Sequence, residues 1–600
     1  MSIVLKNLKV SVHALMCGAT VGLLAACSGS SAPDTASSSP LQAPPDAPGV
    51  TNTVPATPSA GQSRAGQVYN VSIRAPATGD TMVFTVFEPA TVTGGQRYPL
   101  VLHSHGFSAS RQTSLASNSA TSALSPGTAE IPMLVAQGYG VISIDERGHG
   151  ESSGTIRVMD PDFEGRDLIA VLDWAEVRLD WLARGRSADG RDPDNLVVGA
   201  IGGSYGGMYQ FLLNNIDPRR RLDALVPEIA PNDLTYSLFP NGTIKAGWDS
   251  ALFLLGNTAG SGLDRGHFDP YIQRLFTTDL LTNQIASDHL DFFRYHSNAY
   301  FCNGQRVATN GGAGTTPGFS PTPPPRVNAL FWQGFRDTLF NFNEGFANYQ
   351  CYRQAGGDVR LLTYQFGHNA IPLIPDPGAL LHQPLGDSLR TQCGVVQKSD
   401  ATIAFFNEYL KGQRGATNAV VPNRVCLSLS GTDAVQVDTV ARGTGGTPIT
   451  IPDTQVVTGL IDVPVIAPLG ITADAAGTVL GGIPHLRVTV TDTLPVPVLN
   501  SDPIVFVGVG HRRAAGPLRS WDLVDNQVTP LRGYGVHDVD LIGVAERLLP
   551  GDELALLFYG GHDQYHVTGS LNVASPTITT VRIAGQVWMP LLGPLANSGQ

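Results

Sequence analysis

Val197-Val198-Gly199-Ala200-Ile201, Gly202-Gly203-Ser204-Tyr205-Gly206-Gly207 and Met208-Tyr209-Gln210-Phe211-Leu212-Leu213 follow one another directly, and the fold turns on how this stretch is read. The short apolar, β-branched run predicts a buried strand, the glycines a turn too tight for side chains, and the segment from Met208 a helix. A serine at such a turn stands clear of the sheet only if small residues flank it, and Gly202 and Gly206 supply that room. The helix that follows Ser204 turns its N-terminal amides towards the serine, where they can stabilise an oxyanion. This is the pattern of a nucleophile elbow. An isolated Gly-x-Ser-x-Gly is equally a glycine-rich turn with a solvent-facing serine; the flanking strand and helix argue against that here.

Upstream, residues Gly66 to Pro89 alternate apolar and polar, which predicts an antiparallel edge of a larger sheet. Tyr98-Pro99-Leu100-Val101-Leu102 predicts a buried strand that ends in His103-Ser104-His105-Gly106-Phe107. The amide of Phe107, enabled by Gly106, and the amide of Tyr205 are the candidate oxyanion donors. A helix from about Glu130 to Gln137 leads to the strand Gly140 to Asp145 and then to Glu146-Arg147-Gly148-His149-Gly150-Glu151-Ser152. His149 precedes the nucleophile, out of the order Ser, acid, His, so it is assigned a structural role. The amphipathic run Phe163 to Trp174 completes strands alternating with helices, which predicts a parallel sheet covered on both faces.

After the elbow, Leu222 to Ile229 is a further strand, and from about Asp233 to Phe301 helical segments loaded with aromatics (Trp248, Phe253, Phe292, Tyr295) suggest an inserted cap. The sheet resumes at Val327 to Gly334, followed by Phe335-Arg336-Asp337, and again at Arg360 to Phe366, followed by Gly367-His368. Asp337 and His368 each stand at a strand's C-terminal end, in chain order after Ser204. The predicted triad is therefore Ser204, Asp337 and His368. A helix from Asp400 to Leu410 closes this region, and from about Val421 to Pro590 short strands and turns predict a β-sandwich. His562 and His566 follow a strand and read as loop histidines rather than a metal pair.

Six hundred residues exceed a single core, and the net charge of -12 argues against a nucleic-acid partner. Lys6 and Lys9 precede an apolar segment from Val10 to Leu24 and then Leu24-Ala25-Ala26-Cys27. This resembles a bacterial lipoprotein signal, with Cys27 lipidated and the protein anchored in the cell envelope. Ser28, where an acidic residue would favour inner-membrane retention, points to the outer membrane. The Ser/Pro/Ala/Thr-rich stretch that follows is expected to be a disordered tether. The domain plan is thus a signal peptide over 1–26, a tether over 27–65, a catalytic α/β domain over 66–415 with its cap at about 233–325, and a sandwich over 416–600. Four further cysteines, Cys302, Cys351, Cys393 and Cys426, predict two disulfides in an oxidising compartment, with three pairings open.

The elbow Gly-Gly-Ser-Tyr-Gly-Gly, the Arg147-Gly-x-Gly-x-Ser turn, the cap between nucleophile and acid and the C-terminal jelly-roll-like sandwich together resemble the Xaa-Pro dipeptidyl-peptidase-like, cocaine-esterase-like hydrolases. The resemblance covers residues 66 to 590 and implies an α/β-hydrolase fold with a serine hydrolase activity. It departs at the oxyanion loop: where that group offers a tyrosine hydroxyl, this chain has Phe107, which favours two backbone amides as in esterases and lipases. The implied substrate is a small-molecule ester or a peptide, with ester hydrolysis ahead of X-Pro peptidase action and no metal or organic cofactor called for. The alternative from another class is a non-catalytic envelope protein on a hydrolase scaffold. Acyl and leaving-group preference and oligomeric state are not encoded in any motif.

Overall fold

Ten strands build the central sheet: β1 (Val68–Arg74), β2 (Thr81–Phe87), β3 (Leu100–Ser104), β4 (Gly140–Ile144), β5 (Val198–Gly203), β6 (Leu222–Glu228), β7 (Asn328–Gly334), β8 (Val359–Tyr364), β9 (Val425–Ser428) and β10 (Ala434–Val437). The computed structural model describes residues 41–595 apart from 117–124, 258–267, 275–277, 311–315, 369–390, 430–431, 460–462, 494–501, 516–519 and 566–577. The predicted signal peptide, Cys27 and the start of the tether lie outside the described residues, as does His566. In space the strands run β10-β9-β8-β7-β6-β5-β3-β4-β2-β1. Pairing is parallel from β4 through β9 and antiparallel at both ends.

The parallel strands are buried on both faces, which is why they read as continuous apolar runs. Side chains alternate between two cores. Leu100, Leu102, Val198 and Ala200 pack with Trp174 and Phe211 from the helices Glu164–Arg178 and Tyr205–Ile216. Val101, Ile201, Trp332 and Leu362 pack on the opposite face with Ile131 and Leu134, and with Phe405 and Phe406 of the helix Lys398–Lys411. This is the α/β-hydrolase fold. The inserted helices Leu234–Leu238, Ala246–Gly256, Pro270–Arg274, Ser287–Tyr295 and Asn298–Asn303 stand between β6 and β7 as the cap.

The C-terminal region is a sandwich. One sheet orders Ile449–Val457, Thr580–Trp588, His485–Asp492 and Gly535–Asp540; the other orders Val465–Thr472, Glu553–Tyr559, Ile504–Arg512 and Asp522–Leu523. Leu486, Val488 and Val490 from the first face Val505, Val507 and Val509 from the second across a shared core. The boundary expected at residue 416 moves: β9 and β10 extend the central sheet, so the chain leaves it only after Val437.

The tether is corrected as well, over the part that is described. Asn52 is buried and donates to Asp46 Oδ1 (2.6 Å) and to the Ser72 carbonyl (2.9 Å), while the Arg74 amide donates to the Pro45 carbonyl (2.9 Å). Arg64 pairs with Glu88 at 2.5 Å, and the strand Ser63–Ala65 pairs with Thr91–Thr93. Polar and main-chain contacts hold this segment along β1, covering a sheet edge that would otherwise be open. Composition alone hides this, because few apolar side chains are used, Ala47 and Val54 among them.

Both disulfides form, as Cys302–Cys351 and Cys393–Cys426. The first ties the cap helix Asn298–Asn303 to the helix Phe342–Ala355; the second ties the hairpin at Gln392–Gln397 to β9.

Candidate active site

Ser204 stands between β5 and the helix Tyr205–Ile216, at φ 57° and ψ −122°. The helix begins at Tyr205, three residues earlier than its sequence suggests, so the Tyr205 amide is in the first turn. A left-handed φ at a non-glycine residue is unfavourable and persists only where the surroundings over-determine it. They do so here. A Cβ on Gly202 would lie 2.7 Å from the Ser104 carbonyl oxygen, and one on Gly206 2.3 Å from the same atom. Behind the turn, buried Gln210 donates through Nε2 to the carbonyls of Gly202 (3.0 Å) and Gly206 (3.1 Å) and accepts from the Val226 amide (3.1 Å). The Tyr209 hydroxyl donates to the Leu102 carbonyl at 2.8 Å.

Ser204, Asp337 and His368 are brought together. The Ser204 hydroxyl donates to His368 Nε2 at 2.9 Å, and His368 Nδ1–H donates to Asp337 Oδ2 at 2.6 Å. Asp337 is fully buried, and its Oδ1 accepts from the amides of Leu339 (3.0 Å) and Phe340 (2.7 Å). Those two amides fix the carboxylate's rotation. Gly367 is required beside it, since a Cβ there would lie 2.6 Å from Asp337 Cα. The rings of Phe340 and Trp248 stand edge-on to the imidazole at centroid distances of 5.1 and 6.1 Å.

The loop after β3 brings the half-buried Phe107 beside Tyr205, with ring centroids 5.4 Å apart. Among the described residues neither the Phe107 nor the Tyr205 amide is taken up by another backbone group. The Phe107 ring also stacks on Phe268, which stacks on Phe253 of the cap. Behind this loop are three buried histidines. His149 lies against His105, Phe107 and Tyr205, its Nδ1–H donating to the Arg147 carbonyl at 3.0 Å; burial lowers its pKa to about 3, so it is neutral packing. His105 accepts at Nε2 from the Glu146 amide (3.1 Å) and is lowered by burial too, while burial takes His103 to about 3. Arg147 does not face the site: Nε and Nη2 grip Asp167 bidentately at 2.9 Å each, which fixes the turn after β4.

Several residues that support the site carry no motif. Besides Tyr209 and Gln210, Trp248 Nε1 donates to Thr338 Oγ1 (3.1 Å), and Thr338 Oγ1 in turn donates to the His368 carbonyl (2.9 Å). Lys245 of the cap is buried and donates to the carbonyls of Thr338 (2.9 Å) and Leu339 (3.1 Å). Gln527 of the sandwich donates to the carbonyls of Phe335 (2.7 Å) and Asp337 (2.9 Å). Among the described residues no cluster of three metal-ligating side chains exists, and His562 is a buried neighbour of Tyr559 and Phe506.

Residues 78–370 match the family model described as X-Pro dipeptidyl-peptidase (S15 family). No curated protein matches the chain. Among solved structures, an aminopeptidase from the marine sediment archaeon Thaumarchaeota archaeon superposes with a TM-score of 0.59 at 14% identity, covering 91% of this chain and 99% of that one. An α-amino acid ester hydrolase gives 0.58 at 14% identity over 92% of this chain and 99% of that one. A CocE/NonD family hydrolase from Staphylococcus aureus gives 0.51 at 13% identity over 91% and 99%. At these identities the superpositions speak for the shared fold, sandwich included. The matched segment contains the elbow, the acid turn and the histidine; over it the chain is similar to the X-Pro dipeptidyl-peptidase (S15) family, and the protein is a serine-type hydrolase.

Proposed function

We propose that this hydrolase cleaves carboxylic esters through an acyl-enzyme on Ser204. The observation that carries the reading is the hydrogen-bonded chain from Asp337 through His368 to a serine held in a left-handed conformation. His368 Nε2 takes the hydroxyl proton as Ser204 Oγ bonds to the carbonyl carbon; the imidazolium then returns that proton to the leaving oxygen as the carbon–oxygen bond breaks. Water repeats the sequence to release the acid. Asp337 orients the imidazole and stabilises its cation. The amides of Phe107 and Tyr205 receive the oxyanion, helped by the positive end of the helix dipole.

Ester over X-Pro peptide rests on the oxyanion loop, where Phe107 offers an amide and no hydroxyl, and on the apolar Phe107–Phe268–Phe253 stack beside it. A panel of p-nitrophenyl esters compared with dipeptidyl-proline amides tests this. Higher kcat/KM on the esters is expected, and a clear preference for proline amides would overturn the ester reading and favour a dipeptidyl-peptidase. A folded protein inert on both, and unreactive towards fluorophosphonates, would return the scaffold alternative. We place the enzyme in the cell envelope on the strength of Leu24-Ala25-Ala26-Cys27. Cys27→Ser should release it from the membrane fraction or leave an unprocessed precursor, and unaltered fractionation and mass would overturn the anchor.

A further inference from the structure

The turn that presents Asp337 has four carbonyls, those of residues 335, 337, 338 and 339, that accept hydrogen bonds from side chains outside the central sheet. Two belong to Lys245 of the cap and two to Gln527 of the sandwich. Gln527 is 2% exposed, and only its amide nitrogen can face two carbonyl oxygens, which fixes the orientation of the side chain. Its backbone is equally determined. Asp525 and Asn526 occupy consecutive left-handed positions at φ 53° and 56°, and the Gln527 amide closes the turn on the Val524 carbonyl at 3.2 Å. Asp525 Oδ2 accepts from the Ala545 amide (2.9 Å), and the Asn526 carbonyl accepts from Gln564 Nε2 (2.5 Å). A left-handed pair of this kind is held by surrounding contacts, and what it delivers is one amide group onto the acid turn. Arg336, buried and next to Asp337 in the chain, faces Asp525 and Glu546 of the same sandwich edge electrostatically.

We infer that Gln527 is a positioning residue for the catalytic acid, through which the β-sandwich completes the active site. The inference rests on the triad reading given above. Loss of its two hydrogen bonds frees the Phe335–Asp337 backbone, and Asp337 Oδ2 no longer meets His368 Nδ1 in the productive direction. Misplacement of a catalytic group by about 1 Å costs about 10²-fold in rate. Ground-state binding is untouched, because Gln527 does not reach the substrate.

The experiment compares Gln527→Met and Gln527→Glu with Asn343→Ala in the full-length protein. Asn343 also joins the two regions, donating to the Leu541 carbonyl (3.0 Å) and accepting from the Gly543 amide (2.9 Å), but it does not touch the acid turn. With p-nitrophenyl butyrate, Gln527→Met is expected to lose about 10²-fold in kcat with KM unchanged, and the acidic limb of its kcat/KM profile should move to lower pH as the carboxylate stabilises imidazolium less well. Gln527→Glu keeps the volume and reads the same way if the Met variant does not fold. Asn343→Ala should lose thermal stability with kcat intact. Wild-type kcat in a folded Gln527 variant, or equal kcat losses in Asn343→Ala, would make Gln527 mere interface and overturn the inference. Failure of the triad reading looks different: the wild-type protein itself would resist fluorophosphonate labelling at Ser204.

Discussion

At the elbow, Ser204 is braced by its own strand–helix unit: Gln210 reaches back to Gly206 four positions away and to Gly202 eight positions away, and Tyr209 to Ile201 eight positions away. At the acid turn, the Thr338 carbonyl is held by Lys245, 93 positions away, and the Asp337 carbonyl by Gln527, 190 positions away. The two halves of the catalytic chain are thus built differently. One is a local device that the sheet carries with it; the other exists only once cap and sandwich are docked. A local device shows in a motif. A turn held from afar looks like any loop.

The largest effects expected are on the chemistry, and they test the two halves together. Ser204→Ala or His368→Ala should each cost about 10⁶ in kcat, and combining them little more, because either removes the whole nucleophile–base unit. Asp337→Ala should cost about 10⁴, since the imidazole remains but loses its orienting partner. Melting temperatures of the Ser204 and His368 variants should stay near that of the wild type, while Asp337→Ala, which leaves the Leu339 and Phe340 amides without their acceptor, should melt lower; steady-state kinetics with thermal melts checks both. A folded Asp337→Ala with most of its activity would mean that another carboxylate serves His368.

Stability separates the regions next. Removing Cys302–Cys351, whose cysteines are 49 residues apart, should cost about 4 kcal/mol on the loop-entropy account, loosening the cap-side half by tying the Asn298–Asn303 helix less firmly. Calorimetry of the Cys302→Ala, Cys351→Ala double variant measures it. Gln210→Leu leaves several buried main-chain groups around the elbow without partners, at about 1–3 kcal/mol for each group left unpaired. The account expects its activity to fall in step with its melting, whereas Gln527→Met should lose kcat at temperatures where it is fully folded. If Gln210→Leu lost kcat without destabilisation, the contrast between the two regions would break.

The smallest effect is pH-linked. Burial pushes Glu146, just after β4, up to about 8, against the opposing pull of the Ser104 hydroxyl. Between its unfolded value of 4.5 and about 8 the folded state holds a proton that the unfolded chain has released, so stability falls as pH rises through that window. Glu146→Gln should flatten the slope of melting temperature against pH from 5 to 8. An unchanged slope would assign the dependence to the other carboxyls that burial raises, Glu344 to about 8 and Glu164, Asp167, Asp223 and Glu546 to about 7.

What was legible in the chain follows the same division. Strands β3, β5, β6, β7 and β8 announce themselves because both faces are buried, and Ser204, Asp337 and His368 stand where strand ends and chain order put them. His149 could be set aside by order alone, and its burial against Phe107 and Tyr205 supplies the reason. The helix Phe342–Ala355 went unread although Asn341 caps it and Phe342, Phe346 and Tyr349 mark its buried face. The stretch from Pro45 to Arg64 reads as a tether because hydrogen bonds, with few apolar contacts such as those of Ala47 and Val54, fasten it. Strands β9 and β10 were assigned to the sandwich because a short strand's period does not say which sheet receives it. Gln527 and Lys245 have no sequence signature, since their meaning lies in what docks beside them.

The central claim is that Ser204 is the nucleophile, activated through His368 by an acid that cap and sandwich hold in place. Intact-mass analysis after brief treatment with a fluorophosphonate tests it most directly. The account predicts a single adduct, mapped to Ser204, on the wild-type protein, none on Ser204→Ala, and strongly slowed labelling of His368→Ala. A folded wild-type protein without adduct, or an adduct that persists in Ser204→Ala, would contradict it.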